Sequence, residues 1–388
     1  MNLEDDISTC LILFYDYVEE NPTSVILPDF EQTLINEIGE LIHNDKEEEY
    51  IEDVIDVSLE IFYETIYPSR SFSNTFCQIQ SNEEKKLITY KLNKINNIIQ
   101  PQQKSNEWYL MRQGLLTASN AYKMFDSQCQ QNSLIYEKCK PKTIEDMNPK
   151  NINIDSSLHW GNKYEPISVL IYEEMYKTKI GEYGFLPHTK YRFIGASPDG
   201  INIDPLSDRY GRMLEIKNIV NREINGIPKK EYWVQMQLQM EVFDLNDCDF
   251  LETRFIEYEN EIEFLRDSDD AIFISKNQEK KGIILYFSDN NTGNPFYIYT
   301  PLNITYLEYD LWSEKIIQET LDNNPSYVWI RQIYWKLDEV SCVLVKRNKH
   351  WFQNAVPIMT DFWNTIQNEK INGYNHRAPK TKNKEDKK

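Results

Sequence analysis

Apolar residues in the first hundred positions recur every three or four residues, the spacing of one helical face. In LPDFEQTLINEIGELIH the stripe is Phe30, Leu34, Ile38 and Leu41, and IEDVIDVSLEIFYETIY repeats the rhythm. The opening segment, MNLEDDISTCLILFYDYVEE, predicts another helix. Its apolar stretch has acidic flanks, where a secretory leader would begin with basic residues. A polar run containing Pro101, NIIQPQQKSNEW, ends this regime and predicts a boundary. Helical spacing returns in EWYLMRQGLLTASNAYKMF, HWGNKYEPISVLIYEEMY and PKKEYWVQMQLQMEVF. YRFIGASPDGINI and GRMLEIKNIV are instead short apolar runs flanked by turn residues, as strands are. GIILYF and EVSCVLV add later strands, separated by NNTGNP and a helical stretch.

This order predicts an α/β (α+β) fold, a mixed sheet flanked by helices. The expected divisions are an acidic all-helical module at 1–100, a core at 101–260, a C-terminal extension at 261–370 that packs on or completes the core, and a basic disordered tail at 371–388.

Charge sharpens the division. The formal net charge is -20, which by itself argues against a phosphate-rich partner. Residues 1–56, however, hold 17 Asp or Glu against one Lys. The remainder is close to neutral, so nucleic acid would be held by local patches such as Lys346, Arg347 and Lys349, or Lys229 and Lys230. The tail HRAPKTKNKEDKK reads as a solvated basic end.

Several chemistries lose support. The six cysteines (Cys10, Cys77, Cys129, Cys139, Cys248 and Cys342) form no CxxC pair, and the five histidines (His43, His159, His188, His350 and His376) are scattered. Zinc knuckles and HExxH hydrolases are disfavoured. No apolar run reaches the roughly 18 residues that span a bilayer. An intracellular, soluble protein without membrane contact is expected.

One constellation stands out. In YRFIGASPDG, Asp199 ends an apolar run, and the following Gly200 would let the chain turn. In RMLEIKN, Glu215 and Lys217 are two positions apart and therefore on one strand face, with Leu214 and Ile216 turned to the core. Hard carboxylate oxygens suit Mg²⁺, which keeps waters and substrate phosphate oxygens in its shell. A cation such as Lys217 beside a metal-bound water suits phosphodiester hydrolysis.

With these residues in place, the chain resembles the YqaJ-like viral recombinase family, which includes phage lambda exonuclease and belongs to the PD-(D/E)xK nucleases. The resemblance lies within residues 104–258, in EWYLMRQGLLTAS, HWGNKYEP, GASPDG, LEIK and WVQMQLQM. It is nearest to the versions carried by large DNA viruses. It implies a restriction-endonuclease-like core with metal ligands at Asp199 and Glu215 and at the Ile216 carbonyl. Mg²⁺ is the implied cofactor, with Mn²⁺ able to substitute, and Lys217 the catalytic lysine. Glu165 would serve the metal directly or through water, placed near a helix start by Pro166 in a first turn. Gln235 would reach the nucleophilic water. Arg112, Thr117, Ser119 and Ser197 would receive a terminal 5′-phosphate. No iron-sulfur cluster is expected, because the related four-cysteine arrangement is missing from the sequence.

The implied activity is a Mg²⁺-dependent 5′-to-3′ exonuclease that resects double-stranded DNA ends in viral recombination or repair. A structure-specific endonuclease and an inactive DNA-binding protein stay open as alternatives. DNA is the expected partner, a homo-oligomer and a single-strand annealing recombinase are further candidates, and the place of action would be the host cytoplasm or a viral replication site. The acidic module and the residues after 258 have no counterpart in the compact phage enzyme, so its ring cannot be assumed.

Overall fold

The computed structural model describes residues 3–42, 48–73, 80–101, 105–141, 152–268 and 273–379. Among them ten strands form two sheets. They are β1 (Leu116–Thr117), β2 (Ile180–Gly181), β3 (Leu186–Pro187), β4 (Ile194–Ala196), β5 (Gly200–Asn202), β6 (Met213–Asn218), β7 (Asp247–Glu257), β8 (Lys281–Asp289), β9 (Pro295–Tyr299) and β10 (Tyr327–Lys346). The larger sheet has the order β2-β5-β6-β7-β10-β8-β9 and the smaller β1-β4-β3. Only β6 and β7 run parallel in the larger sheet. A parallel pair needs a crossover, and the intervening sequence forms the helix Lys230–Phe243. This is a mixed sheet flanked by helices, the expected class.

The run YRFIGASPDGINI is not one strand. β4 belongs to the small sheet and β5 to the large one, so Ser197, Pro198 and Asp199 form the passage between sheets. Gly200 is needed for a reason other than a sharp turn. A Cβ there would lie 2.2 Å from Ile180 Cγ2 on the neighbouring β2. Likewise EWYLMRQGLLTASNAYKMF breaks after the helix Asn106–Gln113, and Leu116–Thr117 pairs in parallel with β4.

Helices α1 (Leu3–Glu20), α2 (Phe30–Ile42), α3 (Glu48–Thr65) and α4 (Asn82–Asn96) precede the sheets. Phe30, Leu34 and Ile38 are buried, but Leu41 is 62% exposed, since the apolar stripe outlasts the surface it covers. The module expected to stand apart at 1–100 shares its core with the rest. Cys10, Phe14 and Phe62 belong to one apolar cluster with Trp233, Trp351 and Phe352. Buried Arg70 donates through Nη1 to the Val25 carbonyl and through Nη2 to Pro228 (2.6 Å), while its own carbonyl accepts from Trp233 Nε1 (3.1 Å). Phe72 exchanges backbone hydrogen bonds with Leu344 on β10. Packing therefore does not divide at Pro101.

The remaining helices are α5 (Asn106–Gln113), α6 (Ala118–Ala121), α7 (Gln128–Cys139), α8 (Ser157–Tyr176), α9 (Lys230–Phe243), α10 (Glu261–Arg266), α11 (Tyr306–Asn323) and α12 (Lys349–Asn372). The later residues complete the sheet, because β10 lies between β7 and β8. Part of the segment expected to be a disordered tail is packed: Arg377 binds Glu369 and Asn132 Oδ1 (2.5 Å), while residues 380–388 of that expectation lie outside the described residues. Cys77 and His43 are outside it too; the other five cysteines are free thiols. No described helix is long and apolar enough to cross a membrane.

Candidate active site

Alternation along β6 sorts its side chains between two helices. Leu214 and Ile216 pack with Tyr172 of α8, Leu251 and Cys342. Glu215 turns to the opposite face, where α9 lies, and is fully buried. Burying a carboxylate requires paired and hydrogen-bonded surroundings. Lys217 Nζ donates to Glu215 Oε1, and Gln239 Nε2 donates to Oε2 at 2.7 Å.

Asp199 meets this strand from the inter-sheet passage. Its amide donates to the Leu214 carbonyl (3.1 Å), and its Oδ2 accepts from the Ile216 amide (2.7 Å). The pairing of β5 with β6 stops at Gly200 and Leu214. Residues 214 and 216 present backbone groups to the same edge, so the Ile216 carbonyl faces the gap where β5 has ended. Burial first, then the carboxylates of Glu215 and Glu165, push the Asp199 carboxyl well above its ordinary range. Burial alone would depress Lys217, but Glu215 and Asp199 outweigh it and raise the ammonium above its ordinary value.

Glu165 and Asp199 line one cleft, together with Pro166, Glu182, Asn96 and Pro101. Glu165 is not near a helix start: Ser156 caps α8 at 2.9–3.1 Å from the amides it receives, and Pro166 lies in the helix interior. The first-turn placement expected for Pro166 is thus corrected. The side chain is nevertheless close enough to Asp199 to line the same cleft and to raise its carboxyl.

The family model described as YqaJ-like viral recombinase domain matches residues 107–246. Uncharacterized protein R354 of Acanthamoeba polyphaga mimivirus is 34% identical over 305 residues, covering 71% of this chain and 54% of that protein. The chain thus spans about half the length of that relative. Among solved structures, an alkaline exonuclease from Laribacter hongkongensis aligns at 17% identity with a TM-score of 0.38, covering 69% of this chain and 94% of the other. Its complex with dAMP aligns with the same values.

Within the matched residues a second polar group forms beside α5. Arg112 Nη2 donates to Ser119 Oγ (3.2 Å), and the Ser119 and Thr117 hydroxyls are 3.4 Å apart. The Arg112 guanidinium lies 4.3 Å from the Trp108 ring centroid and makes no ion pair among the described residues. Burial lowers its pKa from the ordinary value. Ser197 is tied elsewhere: its hydroxyl donates to the Tyr183 carbonyl (3.4 Å), and its carbonyl accepts from Gln239 (3.1 Å).

Gln239 is the residue that sequence reasoning undervalued. Gln235 lies one helical turn earlier and is half-buried, with no hydrogen bond among the described residues, whereas Gln239 bridges Glu215 and Ser197. Spacing of four places both on one face; nothing in the sequence says which of them a strand passes beneath. The expected phosphate-binding patches also change. Arg347 is engaged by Glu241 (2.6 Å) and Asp244 (2.8 Å), and Lys230 by the Phe125 carbonyl (2.7 Å).

No three His, Cys, Asp or Glu side chains among the described residues enclose an ion by themselves. Magnesium asks for less, since it is held by one or two carboxylates with waters and substrate oxygens. Asp199, Glu215 and the edge-facing Ile216 carbonyl supply hard oxygen donors, and the burial and carboxylate repulsion that raise Asp199 are what a divalent cation offsets. The donor set fits Mg²⁺ or Mn²⁺.

Proposed function

We propose that this chain is a Mg²⁺-dependent deoxyribonuclease that resects double-stranded DNA from 5′-phosphorylated ends, in viral recombination or repair. The observation that carries the reading is the meeting of Asp199, Glu215 and Lys217 at one strand end, with Glu165 of a separate helix lining the same cleft as Asp199. Asp199, Glu215 and the Ile216 carbonyl would hold the metal, which would supply Lewis-acid activation of a water and of the scissile phosphate. Lys217, kept protonated by the two carboxylates, orients the attacking water and balances charge around the phosphate. Gln239 and the Ile216 amide fix the carboxylates so that little reorganisation is needed as charge develops.

Recognition of a 5′ end is supported by the Arg112–Ser119–Thr117 group, which presents a guanidinium fork with hydroxyls beside it, a suitable phosphate receptor. A homo-oligomer or a strand-annealing partner would add to the grip on duplex.

Incubation with end-labelled linear and covalently closed DNA, with and without Mg²⁺, tests the proposal. Metal-dependent loss of linear DNA alone, faster from 5′-phosphate than from 5′-hydroxyl ends, is the expected result. Nicking of the closed circle would make it an endonuclease, and binding without any product an inactive DNA-binding protein.

A further inference from the structure

Helix α8 carries a problem at its centre. Pro166 has no N–H, so the Asn162 carbonyl loses its intrahelical donor, and the ring crowds the turn before it. The acid whose position matters, Glu165, is the residue immediately before that break.

Asn218, which follows Lys217 on β6, spans the break from below. Its Nδ2 donates to the Gly161 carbonyl (2.9 Å), and its Oδ1 accepts from Ser168 Oγ (2.7 Å) and Thr253 Oγ1 (2.7 Å). The two hydroxyls are 2.9 Å apart, and Ser168 and Thr253 are fully buried. The amide orientation is forced. A carbonyl only accepts, so Nδ2 must face Gly161 and Oδ1 must take the hydroxyls. One side chain therefore grips α8 on both sides of Pro166, and Glu165 lies between the two grips.

We propose that Asn218 is a positioning residue that acts through Glu165: it fastens the proline-broken segment of α8 to the strand bearing Glu215 and Lys217, and so sets where the Glu165 carboxylate stands relative to Asp199. This rests on the metal-dependent reading of the site. Outer groups that orient metal-binding carboxylates typically change metal affinity by about 10–100-fold when removed.

The test measures Mn²⁺ binding to the full chain without DNA, by electron paramagnetic resonance of free Mn²⁺, for the unmutated protein, Asn218→Ala, Glu165→Gln and the double variant. Asn218→Ala should raise the Mn²⁺ dissociation constant roughly tenfold, and the double variant should bind no more weakly than Glu165→Gln alone. The Mg²⁺ concentration for half-maximal cleavage should rise in parallel while the rate at saturating Mg²⁺ largely recovers, a split that a reduced folded fraction would not give. If Asn218→Ala does not fold, Ser168→Ala removes one arm of the clamp and carries the same cycle. Mn²⁺ affinity unchanged in the folded variant, or losses that multiply in the double variant, would overturn the proposal while leaving the nuclease reading intact. An unmutated protein that neither binds Mn²⁺ nor cleaves DNA would remove both.

Discussion

The acids of helices α1 to α3 and the acids of the cleft are the same residue types used in opposite ways. On α3, Glu52, Asp53, Asp56 and Glu60 are exposed and make no ion pair among the described residues, while Ile51, Val54, Ile55, Leu59 and Phe62 on the other face hold the helix in place. At the site, Glu215 is fully buried and the Asp199 carboxyl is raised first by burial and then by the carboxylates beside it. Like charges crowded in a poorly hydrated place destabilise the fold unless a cation or donors compensate. Lys217, Gln239 and the Ile216 amide compensate in part. The comparison teaches that the chain's strong acidity says little about its chemistry, whereas three carboxylates held where they repel one another say much.

The sharpest way to test this contrast is to neutralise the cleft acids. Asp199→Asn and Glu215→Gln should each remove nearly all Mg²⁺-dependent cleavage of linear DNA, and Lys217→Ala should slow it by on the order of 10²–10⁴-fold. Near-parental rates in Asp199→Asn at matched Mg²⁺ would break the site assignment. The fold should survive, which circular dichroism checks.

The next effect concerns how the acidic helices attach. A chain beginning near residue 104 would lose the cleft wall at Asn96–Pro101 and uncover the shared core. It should be insoluble or inactive. A milder probe is Arg70→Leu, which leaves the Val25 and Pro228 carbonyls without their buried donor at about 1–3 kcal/mol each. Urea unfolding should show the loss as a single transition; two separate transitions would restore the independent module.

Arg112→Ala should act on recognition more than on chemistry. Preference for 5′-phosphate over 5′-hydroxyl ends should fall by about 1.5–3 kcal/mol, the worth of a hydrogen bond to a charged group, measured as the ratio of kcat/KM on the two substrates. The smallest effect belongs to the exposed acids. Replacing Glu52, Asp53 and Asp56 together by the corresponding amides should leave the urea midpoint and the cleavage rate within error, since surface substitutions away from packed or paired groups change little.

The sequence by itself determined the chemistry-bearing pair on β6. Period-two alternation puts Glu215 and Lys217 on one face and Leu214 and Ile216 on the other whatever the surrounding fold. It also determined the amphipathic helices, because buried faces such as Phe30, Leu34 and Ile38 follow from spacing alone. Other features depend on which elements meet, which no local spacing encodes. The GASPDG run is split because β4 and β5 pair with different strands. Pro166 sits inside α8 rather than at its start because packing on β6 and the Asn218 clamp hold that turn despite the missing amide. Gln239 rather than Gln235 touches Glu215 because the axial position of α9 over the sheet, not its rotation, selects between residues one turn apart. The division at Pro101 failed for the same reason: composition changes there, but the core on either side is shared, and shared burial exists only once distant segments are brought together.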